Sequence, residues 1–520
     1  MARESGKRGG GSGLVLSGMT AANAMILVDQ TAVPLALPDI MQDFGVGSQN
    51  VQWVLNASLL MLAGLLVLGG RLGDLLGRRR VFLAGCLLFS GGSAVAGLAP
   101  AFEVLIAARV VQGVGGALML PTSVALVSAA FGADRKGRAL GTMGGVAAVA
   151  GALGPTIGGV LTTAVSWRAV FLVNVPLAVF CVLVTLRAVP ADAPRTGRVH
   201  VDISGSALFC VALVSGVYGL SRTQATPFTD ASVAVPLVAA AVAAALFVAR
   251  ERRAANPLLS FSLLRANRNY LGATLSQGLA GMAEMGLGII FPLLLVLNLE
   301  MTPALAGLAL IPTTLPMIVL APVTGRWYDR SGGRRPLVVG FLALAASGVA
   351  LAIGVYLAND PATAPEPRTY LALLPGFLLY GIGLALVLTA NDPVSLDSIP
   401  EQDEGQASGV SATAEQGGGA VGIAIFYALF HTAYIGRLHD LLDGGTLAGL
   451  SAQQYAQLRS GLQAAEQTGL QPDHFDPTLL PYLGATYAAS QHAYIVVFLA
   501  VSAVGVLGAV ATGWLVRRPT

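Results

Sequence analysis

Four charged side chains fall inside runs that are otherwise apolar or small: Asp29 in LVDQTAVPLALPDI (27–40), Arg109 in RVVQGVGGA (109–117), Glu284 in LAGMAEMGLG (279–288) and Glu415 in SATAEQGGGAVG (411–422). A charge at the centre of a bilayer costs roughly 2.5–3.5 kcal/mol on insertion scales, so it pairs, faces water or performs a function. For a carboxylate in that position the natural chemistry is exchange of a proton, and competition between a proton and a cation for one site. Other chemistries lack their groups. The five histidines are scattered without metal-ligand spacing. No G-x-x-x-x-G-K-[ST] phosphate loop occurs, so ATP is not the energy source and no cofactor is expected. No Ser–His–Asp set or paired carboxylates point to an enzyme.

The elements that must hold these charges are membrane helices. The chain has 520 residues, 55% hydrophobic and 11% charged, against about 25% charged in soluble domains. Its mean hydropathy is +0.71, which describes an all-α polytopic membrane protein. Sixty-four glycines suit close helix packing. The net charge of +3 implies no nucleic-acid partner. Cys86, Cys181 and Cys210 all lie in apolar runs and read as packing residues.

Runs long enough to span number fourteen, near 14–39, 50–69, 81–99, 103–128, 138–164, 168–188, 203–221, 232–250, 268–298, 303–324, 336–358, 369–391, 407–433 and 492–516. Residues 1–13 read as a short tail. Loops on the N-terminal side, with both tails, hold 24 of the 30 Lys and Arg; the other side holds Arg168, Arg222, Arg368, Arg437 and Arg459. The positive-inside rule therefore puts both termini in the cytoplasm of a multi-pass protein of the cell membrane.

GRLGDLLGRRR (70–80) and GRWYDRSGGRR (325–335) share G-R-x-x-D and closing arginines at an offset of 255 residues. Eight helices separate them, which fits two six-helix halves, 14–190 and 268–516, with two linker helices at 203–250 between them. The linker helices are expected to be peripheral to any transport path. A long loop, 434–490, contains a capping-box spacing at Ser451 and Gln454, and Tyr455, Leu458 and Leu462 share one face, so a short amphipathic helix is expected there.

The chain resembles the major facilitator superfamily, in its fourteen-helix drug:proton antiporter branch, over nearly its whole length. Residues 70–80 match the family's cytoplasmic loop signature, RVVQGVGGA the fourth-helix signature, and GALGPTIGG (151–159) the fifth-helix signature associated with antiporters. LVDQTAVPLALPDI resembles the first-helix signature of the branch and WRAVFLVNVP (167–176) its sixth helix. The resemblance implies that Gly70, Arg71, Gly73, Asp74, Gly77 and Arg78 form a cytoplasmic gate, closing on the start of the thirteenth helix near Gly405 to Ser408. Gly325, Arg326 and Asp329 are its repeat in the second half. Gly151, Gly154 and Gly158 share one helix face beside Gly159, and Pro155 bends that helix, so this face is expected to pack against the other half near the outward end.

Arg109 lies roughly 9 Å and Asp29 roughly 14 Å below the outward ends of their helices, within reach of one another. Asp29 is expected to pair with Arg109, to face a cavity, and to titrate: protonated when open outward, deprotonated and available to substrate when open inward. Glu284, near the midplane, and Glu415 are expected to line the same cavity in the second half, with Asn56, Gln112, Asn174, Gln277 and Gln416 as polar contacts. Met282, Met285 and Met317 suit loose recognition. The function that follows is proton-coupled antiport: export of an amphiphilic, cationic small molecule by alternating access, by a monomer in a lipid bilayer, as in multidrug efflux and antibiotic resistance. The alternative is dedicated export of one endogenous metabolite, antibiotic or lipid. A non-transporting scaffold is disfavoured by the intact loop signature and both intramembrane charges.

Overall fold

The computed structural model describes residues 2–131, 133–192, 203–222, 230–253, 264, 267–358, 367–399, 404–443 and 483–517, and every regular element among them is a helix. The first group comprises α1 (Ala2–Phe44), the single turn α2 (Ser48–Val51), α3 (Trp53–Leu76), α4 (Arg78–Gly97), α5 (Phe102–Phe131), α6 (Ala133–Ala164) and the broken pair α7 (Trp167–Leu172) and α8 (Asn174–Ala188). Then come α9 (Ile203–Arg222) and α10 (Ala231–Glu251). The second group is α11 (Arg268–Pro292), which runs into a π-helical turn at Leu293–Asn298, α12 (Pro303–Ala309), α13 (Ile311–Ser331), α14 (Arg334–Ala358), α15 (Pro367–Leu396), α16 (Glu404–Asp443) and α17 (Leu483–Leu515). Thirteen helices among the described residues are long and apolar enough to cross a membrane, and fourteen when the bent α6 counts as one span.

Two boundaries differ from expectation. The tail at 1–13 is drawn into α1, which starts at Ala2. Each residue added to an existing helix gains a hydrogen bond, and no proline intervenes before Pro34. The loop expected at 434–490 narrows from both sides, because α16 continues to Asp443 and α17 begins at Leu483. Ser451, Gln454, Tyr455, Leu458 and Leu462 lie outside the described residues.

α6 bends by 42° between Thr142–Gly151 and Leu153–Ala164. Pro155 has no N–H to offer the Gly151 carbonyl and its ring crowds that oxygen. The Thr31 hydroxyl supplies a donor instead, 2.8 Å from Gly151 O. The bend is thus stabilised by α1, the helix that carries Asp29.

The 255-residue repeat is present in the backbone. α3 ends at Leu76 and is followed by Gly77 with φ of 103°; α13 ends at Ser331 and is followed by Gly332 with φ of 69°. Both conformations favour glycine. At Gly77 space is also denied, since a Cβ would run into the Asp192 carboxylate. That carboxylate accepts from Arg79 N (3.2 Å) and Arg80 N (3.0 Å), so it caps the first turn of α4. Gly77→Ala is therefore expected to destabilise the protein by about 1–3 kcal/mol, measured as a lowered melting temperature of the purified protein.

The packing is asymmetric between the two ends of the bundle: the basic end, where Arg78 to Arg80 lie, and the end opposite. The main buried cluster joins Val33 to Met41 of α1 and Val54 to Leu60 of α3 with Ile289 to Leu295 and Phe426 to Leu438 of the second group. From the first group it takes only residues far from the basic end. There, a separate cluster (Val15, Met19, Leu66, Phe82, Met119, Val189) draws its buried members from the first group alone. The groups close on each other at the end opposite the basic loops. α3 and α16 also meet along a seam, with Thr413 Oγ1 donating to Ala63 O at 3.4 Å.

The linker helices differ from each other. α10 is largely exposed, as expected. α9 is also mostly exposed but is anchored over the outside of the α3–α16 seam, where a Cβ on Gly64 would meet Cys210 and one on Gly417 would meet Leu213 at 3.8 Å. The small residues of α3 and α16 leave room that the apolar face of α9 fills.

Candidate functional site

Asp29 and Arg109 sit at the meeting of α1, α3, α4, α5 and α8. Glycines bring these helices unusually close. A Cβ on Gly113 would collide with Ser58 O, and one on Gly92 would lie 2.8 Å from Gln112 Cγ. At such separations the short side chains of Ser58 and Ser93 can reach the long polar ones.

Arg109 is fully buried and Asp29 is 3% exposed. Arg109 Nη1 pairs with Asp29 Oδ2 at 2.6 Å and donates to Gln112 Oε1 at 2.9 Å. Its Nη2 donates to Ser58 Oγ at 2.6 Å and its Nε to Val54 O at 2.6 Å. The other Asp29 oxygen accepts from Asn174 Nδ2 (3.0 Å) and Gln112 Nε2 (3.4 Å). Both amides also donate to Ser93 Oγ, at 3.2 and 2.5 Å. The Phe171 ring lies 5.6 Å from the guanidinium. A buried ion pair is tolerable only when its remaining hydrogen-bonding capacity is filled, and here five helices fill it.

This geometry corrects part of the expectation. The two charges do meet. However, Asp29, Gln112 and Asn174 do not line an open cavity in this state. Depth along the helices indicated the pairing, but not that close glycine contacts would close the site over.

The carboxylates of the second group are held differently. α11 and α16 pack through glycines: a Cβ on Gly281 would strike Glu415 O, one on Gly418 would strike Gly278 O, and one on Gly422 would strike Met282 O. Glu415 accepts from Gln277 Nε2, and Gln277 Oε1 accepts from Asn391 Nδ2 of α15. The Tyr380 hydroxyl donates to the main-chain oxygen of Glu284 at 3.3 Å, which leaves the Glu284 carboxylate free of that bond. Glu284 and Glu415 are electrostatic neighbours. Among the described residues no Lys, Arg or His forms an ion pair with either.

The two sites are joined across the halves. Gln30, directly after Asp29, donates from Nε2 to Gln416 Oε1, directly after Glu415, at 3.0 Å. Asn56 is fully buried with neither amide atom partnered, on the face of α3 that also carries Ala63 and Val67 toward α16. Met282 and Met317 are half-buried, and Met285 is buried against the α11–α16 contact.

Residues 19–423 match the model of the Major Facilitator Superfamily. The chain belongs to that superfamily. It is 34% identical over 402 residues to the multidrug resistance protein Stp of Mycobacterium tuberculosis, covering 77% of this chain and 72% of the relative. It is also 34% identical to a puromycin resistance protein of Streptomyces alboniger (82% and 83% covered) and to a cephamycin export protein of Amycolatopsis lactamdurans (83% and 88% covered). Among solved structures, the fold is shared with a bacterial homologue of the human lysosomal transporter Spinster, with a TM-score of 0.63 at 14% identity, covering 96% of this chain and 97% of that one.

The superfamily's loop signature is positioned by α5. A Cβ on Gly70 would lie 3.4 Å from Pro121 and one on Gly73 2.6 Å from Thr122 Cγ2, so both glycines serve close approach. Arg71 is half-buried, and Arg78 Nη1 donates to Ala125 O at 3.5 Å. The side chains of Asp74 and of Gly405 to Ser408 lie outside the described residues. In the repeat, Arg326 and Asp329 are exposed, and a Cβ on Gly325 would meet open space. The superfamily's fifth-helix signature is used differently from expectation. Gly151, Gly154 and Gly158 abut Leu27, Thr31 and Ala32 of α1, within their own half. Only the far side crosses: Gly159 abuts Pro303 O, Gly307 abuts Pro155 O, and Thr156 Oγ1 donates to Gly307 O at 3.2 Å. The kink turns one face of α6 onto α1 and the other onto α12.

Ser58, Ser93, Gln30, Asn391 and Asp192 were not singled out from sequence. Gln30 and Asn391 carried a signal, as amides inside apolar runs. Serines in a glycine-rich membrane helix carry almost none.

Proposed function

We propose that the protein is a proton-coupled antiporter that exports amphiphilic, cationic compounds from the cytoplasm across the cell membrane by alternating access. In this reading the basic end is cytoplasmic, the protein acts as a monomer, and the proton gradient supplies the energy without a cofactor. The observation that carries it is the division of charge: a paired, enclosed carboxylate in one half and, in the other, two carboxylates with no cation partner among the described residues, joined by the Gln30–Gln416 bond. Protonating Asp29 would cancel its attraction to Arg109 and loosen the contact of α1 with α3, α4, α5 and α8. The displacement reaches Gln416 through the neighbouring Gln30, and so reaches the second-half carboxylates that hold the cation. Proton and cation then favour opposite states of one bistable element, which is sufficient for antiport. The names of the relatives, which specify drug and antibiotic resistance or export, support the direction and the substrate class.

In liposomes with an imposed pH gradient, purified protein is expected to drive movement of a fluorescent lipophilic cation, and an ionophore that collapses the gradient is expected to stop it. Movement indifferent to the ionophore would refute proton coupling. Two relatives are named for a single compound each, puromycin and cephamycin, which favours dedicated export as the second reading. Transport of one compound and none of a chemically varied panel would select it.

A further inference from the structure

The second-half carboxylates belong to a cluster with an excess of hydrogen-bond acceptors. Glu284 Oε2 (α11), Asn391 Oδ1 (α15) and Gln30 Oε1 (α1) are buried and have no donor. They are linked to Glu415: Glu284 is its electrostatic neighbour, its partner Gln277 bonds to Asn391, and Gln416, next in the chain, bonds to Gln30. Asn391 is fully buried, so its free oxygen is not exposed to bulk solvent. Asp392, the next residue, is exposed and is an electrostatic neighbour of Glu415. The donors are already committed: Gln277 to Glu415, Asn391 to Gln277, Gln30 to Gln416. An ionised carboxylate only accepts, which fixes the orientation of Gln277 and, through it, of Asn391. Reversing Gln277 or Asn391 would therefore set like groups against each other, so the free oxygens of Glu284 and Asn391 remain.

We infer that this cluster is the cation site, and that it selects ammonium ions bearing N–H groups over permanently alkylated cations of the same charge and length. The inference rests on the export reading above and names its substrate class more narrowly. Buried acceptors left unmet by a ligand are penalised, so a site lined with them discriminates by donors rather than by charge alone. A primary ammonium offers three donors to three helices. A trimethylammonium offers the same charge and none. Because Gln30 comes from the first half, an ammonium that reaches its Oε1 also spans the seam between the halves, which would link occupancy of the site to the state of α1.

The test compares dansylcadaverine, a fluorescent primary amine, with its N,N,N-trimethyl derivative, each titrated against the full chain in lipid nanodiscs. The native protein is expected to bind the primary amine about tenfold tighter or more. Asn391→Leu is expected to abolish this preference by weakening the primary amine alone, whereas Glu284→Gln weakens both cations. Equal affinity of the native protein for the two probes overturns the inference. So does binding of neither, or an Asn391→Leu effect equal on both. If Asn391→Leu does not fold, the native comparison still decides. A preserved preference without gradient-driven transport would refute proton coupling and leave this site standing; transport without preference would do the reverse.

Discussion

Asp29→Asn is expected to abolish cation transport driven by a pH gradient without abolishing cation binding. The substitution keeps the size of the side chain and one acceptor oxygen, so Arg109 retains a partner for Nη1, 2.6 Å away in the native protein. It removes the one thing proposed for the position, a proton that can be taken up and released. The new amide also sets an N–H group against the donors of Asn174 or Gln112, which now point at a carboxylate oxygen. That mismatch and the loss of the charge paired with Arg109 together cost about 3 kcal/mol or more, which lowers the melting temperature, while Arg109 keeps its bonds to Gln112, Ser58 and Val54 O. Cation binding survives because Glu284, Glu415 and Asn391 belong to the second half. Exchange of labelled cation across the membrane without a gradient should persist where net uphill movement is lost. Gradient-driven transport at native rate in Asp29→Asn would assign the proton to another group.

Arg109→Met is expected to have the largest effect on stability of any single change in this region. The guanidinium serves Asp29, Gln112, Ser58 and Val54 O at once, and it is fully buried. Removing it leaves an uncompensated buried carboxylate, and breaking a buried pair from one side costs about 3–5 kcal/mol. Against a total of about 5–15 kcal/mol, much of the folded protein should be lost, seen as poor recovery after solubilisation and a strongly lowered melting temperature. The double variant Asp29→Leu with Arg109→Met should recover much of that stability, because apolar replacement of a whole pair is often neutral or better. It should not recover transport. Comparing the two single variants with the double one isolates the coupling between the charges. A double variant as unstable as Arg109→Met would show that the pair is not the main stabilising element.

The architecture was legible because its signals are long. Apolar runs set the helix number, Lys and Arg asymmetry gave an expected orientation, and the G-R-x-x-D repeat recurs structurally as Gly77 and Gly332 at matching helix ends. The pairing of Asp29 with Arg109 was legible from depth alone, since each helix fixes the height of its residues. What depth cannot give is rotation and closeness. The Gly151, Gly154 and Gly158 face reads as smooth from its spacing, but which helix it meets depends on the direction in which Pro155 bends α6. Likewise, the enclosure of Asp29, Gln112 and Asn174 depends on Gly92 of α4 and Gly113 of α5. Asp192 lies beyond the signature loop in sequence, so its capping of α4 was not readable from the motif.

The most direct measurement of the proposed coupling is proton release on substrate addition, followed with a pH indicator in weakly buffered purified protein. Adding a lipophilic ammonium to the native chain should release protons, and adding it to Asp29→Asn should release none while the cation still binds. Equal release from both proteins would contradict the assignment of the transported proton to Asp29 and would place it on Glu284 or Glu415.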